Sequence, residues 1–211
     1  MIKIELTDVC GWESAIRGMR NPLNSWDKID SKWDGFGKGD GYSIGENDHS
    51  LMMRLAKGGA THAKYRRMIT VYVDITAPLY WWKEFDTYKV GTVANSCSTM
   101  HKIHAKEFKL DDFSHEHLLP GCVDVLKCTI SMLNYSRDMF LETKDKIHWR
   151  QMIQLLPASY NQKRTVMLNY EVLAGMYKDR KNHKLDEWHT FCDWIKALPY
   201  SEIIIGGDEE K

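Results

Sequence analysis

The sequence predicts an α+β fold: a small twisted sheet flanked by long helices. Three observations carry this reading. Residues 67–76, "RMITVYVDIT", are rich in β-branched side chains and alternate apolar with polar, the period of a half-buried strand. Between residues 122 and 143, Val123, Leu126, Ile130, Leu133, Met139 and Leu141 recur at helical spacing. A hydrophobic content of 43% in 211 residues is enough to pack one core, so a single domain over 1–211 is expected.

The elements follow in chain order. "MIKIEL" at 1–6 alternates and reads as a strand. The stretch 32–47 holds Gly35, Gly37, Gly39, Gly41 and Gly45. No strand precedes it and no Gly-Lys-Ser/Thr closes it, so it reads as a mobile surface loop or lid rather than a phosphate loop. Residues 48–58 read as a short helix with Asp48 or Ser50 near its cap and Gly58 at its end. After the strand at 67–76, the chain through 104 reads as helix, loop, helix. A shorter helix at 148–156 is stopped by Pro157, which pushes the preceding residue out of the α region. Val166, Asn169, Tyr170, Leu173 and Tyr177 suggest another helix from Tyr160 to about Lys181. The last long helix runs from Asp186 to Leu198 and ends at Pro199.

Composition narrows the function classes. Lys+Arg 29 balances Asp+Glu 29, so no global field recruits nucleic acid or an anionic membrane. No apolar run is long enough to cross a bilayer, and "MIKIELTDVC" lacks the layout of a secretory signal. A cytoplasmic setting is expected. Cys10, Cys97, Cys122, Cys128 and Cys192 are odd in number and contain no Cys-x-x-Cys pair, which argues against a disulfide framework. His101-x-x-His104 and His115-x-His117, with Glu107 and Glu116, match no zinc signature, so no metal is expected. Eight Trp and ten Tyr fit an obligate oligomer.

The stretch 77–102, "APLYWWKEFDTYKVGTVANSCSTMHK", sets five polar or thiol side chains directly after the most aromatic segment. Lys83, Lys89, Lys102, Arg164 and Arg180 lie near small polar residues. Asn95 to Thr99 could present hydroxyls and amides at a helix start, an arrangement that suits a phosphate. A plain capping segment accounts for the same residues.

Two separated segments resemble the flavin-dependent thymidylate synthases, also called thymidylate synthase complementing proteins. In residues 57–102 the order is Thr61-His62, a strand, Ala77-Pro78, a helix through Trp82 and Glu84, Thr87-Tyr88-Lys89, and Asn95-Ser96-Cys97-Ser98. It is similar to the family's Gly-His, strand, Ala-Pro helix, Arg-His-Arg triplet and substrate loop. In residues 153–191, Leu156-Pro157, Asn169, Leu173, Arg180 and Glu187 fall at the spacings of the family's second block. The resemblance implies interface active sites in a homotetramer. It implies reductive methylation of dUMP to dTMP with methylenetetrahydrofolate, with FAD carrying hydride from NADPH. It places His62 and Asn169 near flavin, Tyr88 and Lys89 near flavin or phosphate, and Glu84, Asn95, Ser96, Ser98 and Arg180 on the nucleotide. No catalytic residue is singled out, and Cys97 need not be a nucleophile.

The departures fall on the cations. Thr87-Tyr88-Lys89 has one cation where the family's triplet has two, and a lysine offers a point charge where a guanidinium offers a bidentate fork. The family's arginine two residues after Asn169 is Glu171 here, which is expected to repel a flavin pyrophosphate unless Lys89 or Lys163 neutralises it. A second reading therefore stands beside the first. It is a homologue that has lost flavin, and either binds or modifies another pyrimidine nucleotide or serves as a structural oligomer.

Overall fold

In β4 (Thr70–Pro78) the alternation in the sequence becomes a burial pattern: Val71, Val73, Ile75 and Ala77 are buried while Thr70, Tyr72, Asp74 and Thr76 are not. The computed structural model describes residues 2–37 and 41–206. Before β4 come β1 (Lys3–Cys10), α1 (Trp12–Arg20), β2 (Lys32–Gly37), β3 (Gly41–Ser43) and α2 (Glu46–Lys57). After it come α3 (Leu79–Phe85), β5 (Val93–Ser96), α4 (Pro120–Thr143) and α5 (Lys146–Leu155). The chain continues with β6 (Asn161–Asn169), α6 (Tyr170–Arg180), α7 (Asp186–Lys196) and α8 (Glu202–Ile205). A four-stranded sheet has the order β1-β4-β6-β5, and β2 pairs antiparallel with β3. The expected α+β class is the observed one.

The chain divides into two compact units. The smaller comprises the chain up to Lys3, Thr76–Thr87 and Asn95–Arg164. Its α3 buries Trp81, Trp82 and Phe85, with the two indoles edge to face at 4.9 Å. Its α4 turns Leu126, Ile130 and Leu133 inward, where they join Phe108, Phe113 and Met152 of α5 in one cluster. Full burial of each such side chain contributes roughly 1.5–3 kcal/mol.

The larger unit comprises Ile4–Ile75, Tyr88–Ala94 and the chain from Thr165. Trp12 of α1 is fully buried and meets Tyr170 edge-on at 5.3 Å and Tyr200 at 5.2 Å. The start of α2 is held from outside its own segment. Asp30 accepts the amides of Asn47 and Asp48, at 2.8 and 3.0 Å. Gly45 is required there, because a Cβ on it would lie 2.2 Å from Asp30 Cγ. Asp48 itself is fully buried inside α2 and pairs with Arg20, so neither it nor Ser50 is the cap that the sequence suggested.

Three other elements differ from expectation. Residues 161–169 form a strand where the helical spacing of Val166, Asn169 and Tyr170 suggested a helix from Tyr160. Val166, Leu168 and Tyr170 are all buried, a period of two, and Asn169 then caps α6. No helix forms between residues 97 and 104. Ser98 Oγ instead accepts the amides of Met100 and His101, local bonds that compete with a helix. Most of the glycine-rich stretch is not a loop. β2 and β3 form a ladder, with Trp33 against Tyr42 at 5.0 Å and positive φ at Gly35 and Gly41. Residues 38–40, including Gly39, lie outside the described residues.

Candidate functional site

The residues singled out by sequence fall in both units. His62, Tyr88, Lys89, Asn169 and Arg180 belong to the larger one, and Glu84, Asn95, Ser96 and Ser98 to the smaller.

In the larger unit, Arg180 and Tyr88 come together although 92 positions separate them. Arg180 Nε donates to the Tyr88 hydroxyl at 2.9 Å, and that hydroxyl donates to Asp179 at 3.3 Å. The guanidinium carbon lies 4.7 Å from the centroid of the Trp188 ring and 5.5 Å from that of Tyr88. Cation–π contacts of this kind contribute roughly 0.5–2 kcal/mol and fix the plane of the guanidinium. Trp188 is fully buried and meets Phe191 edge-on, so the surface beneath the arginine is rigid. Burial pushes the Tyr88 phenol above its ordinary range, against the opposing pull of Arg180, and keeps it neutral. The sequence selected Arg180 and Tyr88; Trp188 went unnoticed, and its only signal was its place in the next helix.

Asn169 is the N-cap of α6, its Oδ1 accepting the Val172 amide at 3.0 Å. The chain between Tyr88 and Ala94 passes so close that a Cβ on Gly91 would sit 3.0 Å from Asn169 Nδ2. Gly91 also has φ +81°, so glycine is needed there on both counts. Lys89 is exposed. His62 is exposed and lines a cavity of about 690 Å³ with Leu51, Leu55 and Met68.

In the smaller unit, Glu84 is half-buried on α3 and Asn95 and Ser96 are exposed on β5. The aromatic run explains why this polar segment is held so firmly. Trp82 Nε1 donates to the Gln162 carbonyl at 2.9 Å, and the Gln162 side chain donates to the Cys97 carbonyl at 2.7 Å. The Cys97 amide donates in turn to the Lys163 carbonyl at 2.9 Å. Arg164 lies 4.2 Å over the Trp82 ring and pairs with Asp86 at 2.7 Å. Its charge is therefore met within the chain.

Glu171, expected to repel a flavin pyrophosphate unless a cation neutralises it, pairs with Arg66 Nε at 2.8 Å. The donors at 87–89 are largely committed. The Thr87 hydroxyl donates to the Glu84 carbonyl at 2.7 Å and the Tyr88 hydroxyl is shared by Arg180 and Asp179. Lys89 is the one cation of the three, so this triplet does not fit a flavin pyrophosphate as a pair of arginines would. Among the described residues, no group of three or more His, Cys, Asp or Glu is placed to hold a metal ion. None of their helices is long and apolar enough to cross a membrane.

The fold is that of the flavin-dependent thymidylate synthases and the related nucleotide methylases. Flavin-dependent thymidylate synthase ThyX of Helicobacter pylori, complexed with FAD and dUMP, is similar over 99% of this chain and 100% of its own, at TM-score 0.68 and 17% identity. The UMP/dUMP methylase PolB of Streptomyces cacaoi, bound with 5-Br dUMP, is similar over 98% and 95%, at TM-score 0.65 and 13% identity. PolB bound with 5-Br UMP gives TM-score 0.62 at 13% identity. No protein-family model and no curated protein matches the sequence.

Proposed function

We propose that the protein binds a uracil 5′-nucleotide and methylates its base, converting dUMP to dTMP with methylenetetrahydrofolate as carbon donor and NADPH as reductant. One observation carries this reading. The structures it resembles over nearly their whole length, ThyX and PolB, were both obtained with a uracil nucleotide. On this reading Arg180, held in plane by Trp188 and Tyr88, meets the base or the phosphate. Asn95, Ser96, Ser98 and Glu84 contact the nucleotide in a homotetramer, and His62, Lys89 and Asn169 lie near FAD. FAD supplies the redox chemistry when bound.

A specific observation favours a second reading, in which the nucleotide is held without flavin. At 87–89, two of three side chains are already engaged and one cation remains. The discriminating experiment mixes purified protein with dUMP, methylenetetrahydrofolate, NADPH and FAD and measures dTMP by chromatography. Formation of dTMP and a yellow protein supports the first reading. Binding of dUMP by a colourless protein that takes up no FAD supports the second. Failure to bind any uracil nucleotide ends both. Light scattering at the mass of a lone 24.7 kDa chain across the micromolar range would remove the tetramer.

A further inference from the structure

Helix α4 has two apolar faces, and among the described residues the chain covers one of them. Leu126, Ile130 and Leu133 point inward and join Phe108, Phe113 and Met152 in the core of the smaller unit. On the other side a second stripe runs through Gly121, Val125, Cys128, Met132, Tyr135 and Met139. Its steps alternate between four and three residues, the spacing of a seam that packs against another helix. Val125, Met132 and Tyr135 are 68%, 53% and 58% exposed. Gly121 and Cys128 are exposed as well, and a Cβ on Gly121 would meet nothing within 4 Å. A helix face that met only water would carry polar side chains at these positions.

The stripe is complementary to itself. Its small residues (Gly121, Val125, Cys128) lie in the first half of the helix and its large ones (Met132, Tyr135, Met139) in the second. Against a second α4 running the other way, Gly121 meets Met139, Val125 meets Tyr135 and Cys128 meets Met132. Each small side chain then faces a large one, which fills the space between the helices evenly. A parallel pair would set large against large and leave a gap at Gly121. No charged residue lies in the stripe. Asp124 and Asp138 flank it and approach each other in the antiparallel pair, but Arg137 Nη1 already meets Asp138 at 2.8 Å. The stripe is about 27 Å long at ~1.5 Å per residue, and one helix wide it falls at the low end of specific interfaces, so micromolar association follows. A contact of that affinity exchanges with free chains, which keeps Cys128 open to alkylation.

We propose that α4 is a docking surface for α4 of a second copy of this chain, antiparallel about a two-fold axis that crosses the stripe between Cys128 and Met132. This contact is independent of uracil recognition, and neither fails with the other. Sedimentation of the full chain across the micromolar range tests it. Wild-type protein is expected to associate reversibly. Met132→Glu, an exposed substitution that leaves the core untouched, should weaken the contact about a hundredfold or more, with circular dichroism unchanged. Disulfide trapping with oxidised glutathione then reads the register. In a chain carrying Cys97→Ser and Cys122→Ser, adding Met132→Cys should let each Cys128 bond the introduced thiol of the other copy. Without Met132→Cys that chain should stay uncrosslinked, because the two Cys128 are offset along the helix axes beyond the roughly 7 Å between Cα atoms that a disulfide can span. A lone 24.7 kDa chain at every concentration, or a mass that Met132→Glu leaves unchanged, overturns the proposal. So does crosslinking through Cys128 alone, which marks a parallel pair, or no crosslink with Met132→Cys.

Discussion

Arg20–Asp48 and Arg66–Glu171 are both buried guanidinium–carboxylate pairs, yet one is closed and the other open. Asp48 is fully buried, and its oxygens take Arg20 Nε at 2.8 Å, the amides of Asp30 and Ser31 at 3.1 Å and the Ser31 hydroxyl at 2.7 Å. Glu171 keeps 18% of its side chain exposed, gives one oxygen to Arg66 and faces a cavity that also holds Lys57 and Lys178. A buried charge whose partners all come from the chain serves the fold. One that borders an open cavity is less fully desolvated, so the fold depends on it less.

That contrast predicts unequal costs. Asp48→Asn leaves Arg20 buried without its counter-charge and should cost about 3–5 kcal/mol in denaturant unfolding. Glu171→Gln, beside a cavity open to water, should cost less, roughly 1–3 kcal/mol. Equal losses would break the comparison.

Asp30→Ala removes the outside cap of α2 and should cost about 0.5–2 kcal/mol. Burial works against the Asp30 charge, but the amides of Asn47 and Asp48 prevail and hold its carboxyl below the ordinary range. A depressed folded value means the stabilisation is present above the unfolded value of ~3.9 and lost as pH falls through the folded one. The gap between wild type and Asp30→Ala should therefore close below about pH 4. A gap that persists in acid would mean that the carboxylate charge is not what holds the helix.

Thiol reactivity carries the smallest effect. Burial pushes the Cys192 thiol up to about 11, whereas Cys97, Cys122 and Cys128 are exposed. Iodoacetamide at neutral pH should label those three and spare Cys192 until the protein unfolds. Early labelling of Cys192 would show that the α7 core opens.

The sequence made some of this legible and hid the rest for physical reasons. Alternation in β4 and apolar spacing in α4 were readable because each reports one buried face. β6 was misread because Val166, Asn169, Tyr170 and Leu173 satisfy a helical period across a strand–helix seam. Asn169, a favoured capping residue, was the available sign of the break. The cap of α2 was sought at Asp48 or Ser50, whereas Asp30 supplies it from 18 positions away. In the site, Arg180 was identified by family spacing. Its partner Tyr88 and the Arg66 that neutralises Glu171 lie 92 and 105 positions away, beyond any local pattern.

The claim that most needs testing is that a uracil nucleotide is the ligand and Arg180 one of the groups that hold it. Titration calorimetry of dUMP into wild-type protein and into Arg180→Ala, with folding of the variant checked by circular dichroism, addresses both halves. Saturable binding is expected, weakened about tenfold or more in the variant, as for loss of a roughly 1.5–3 kcal/mol charge-assisted bond. No heat with dUMP, or equal affinity in a folded Arg180→Ala, would contradict it.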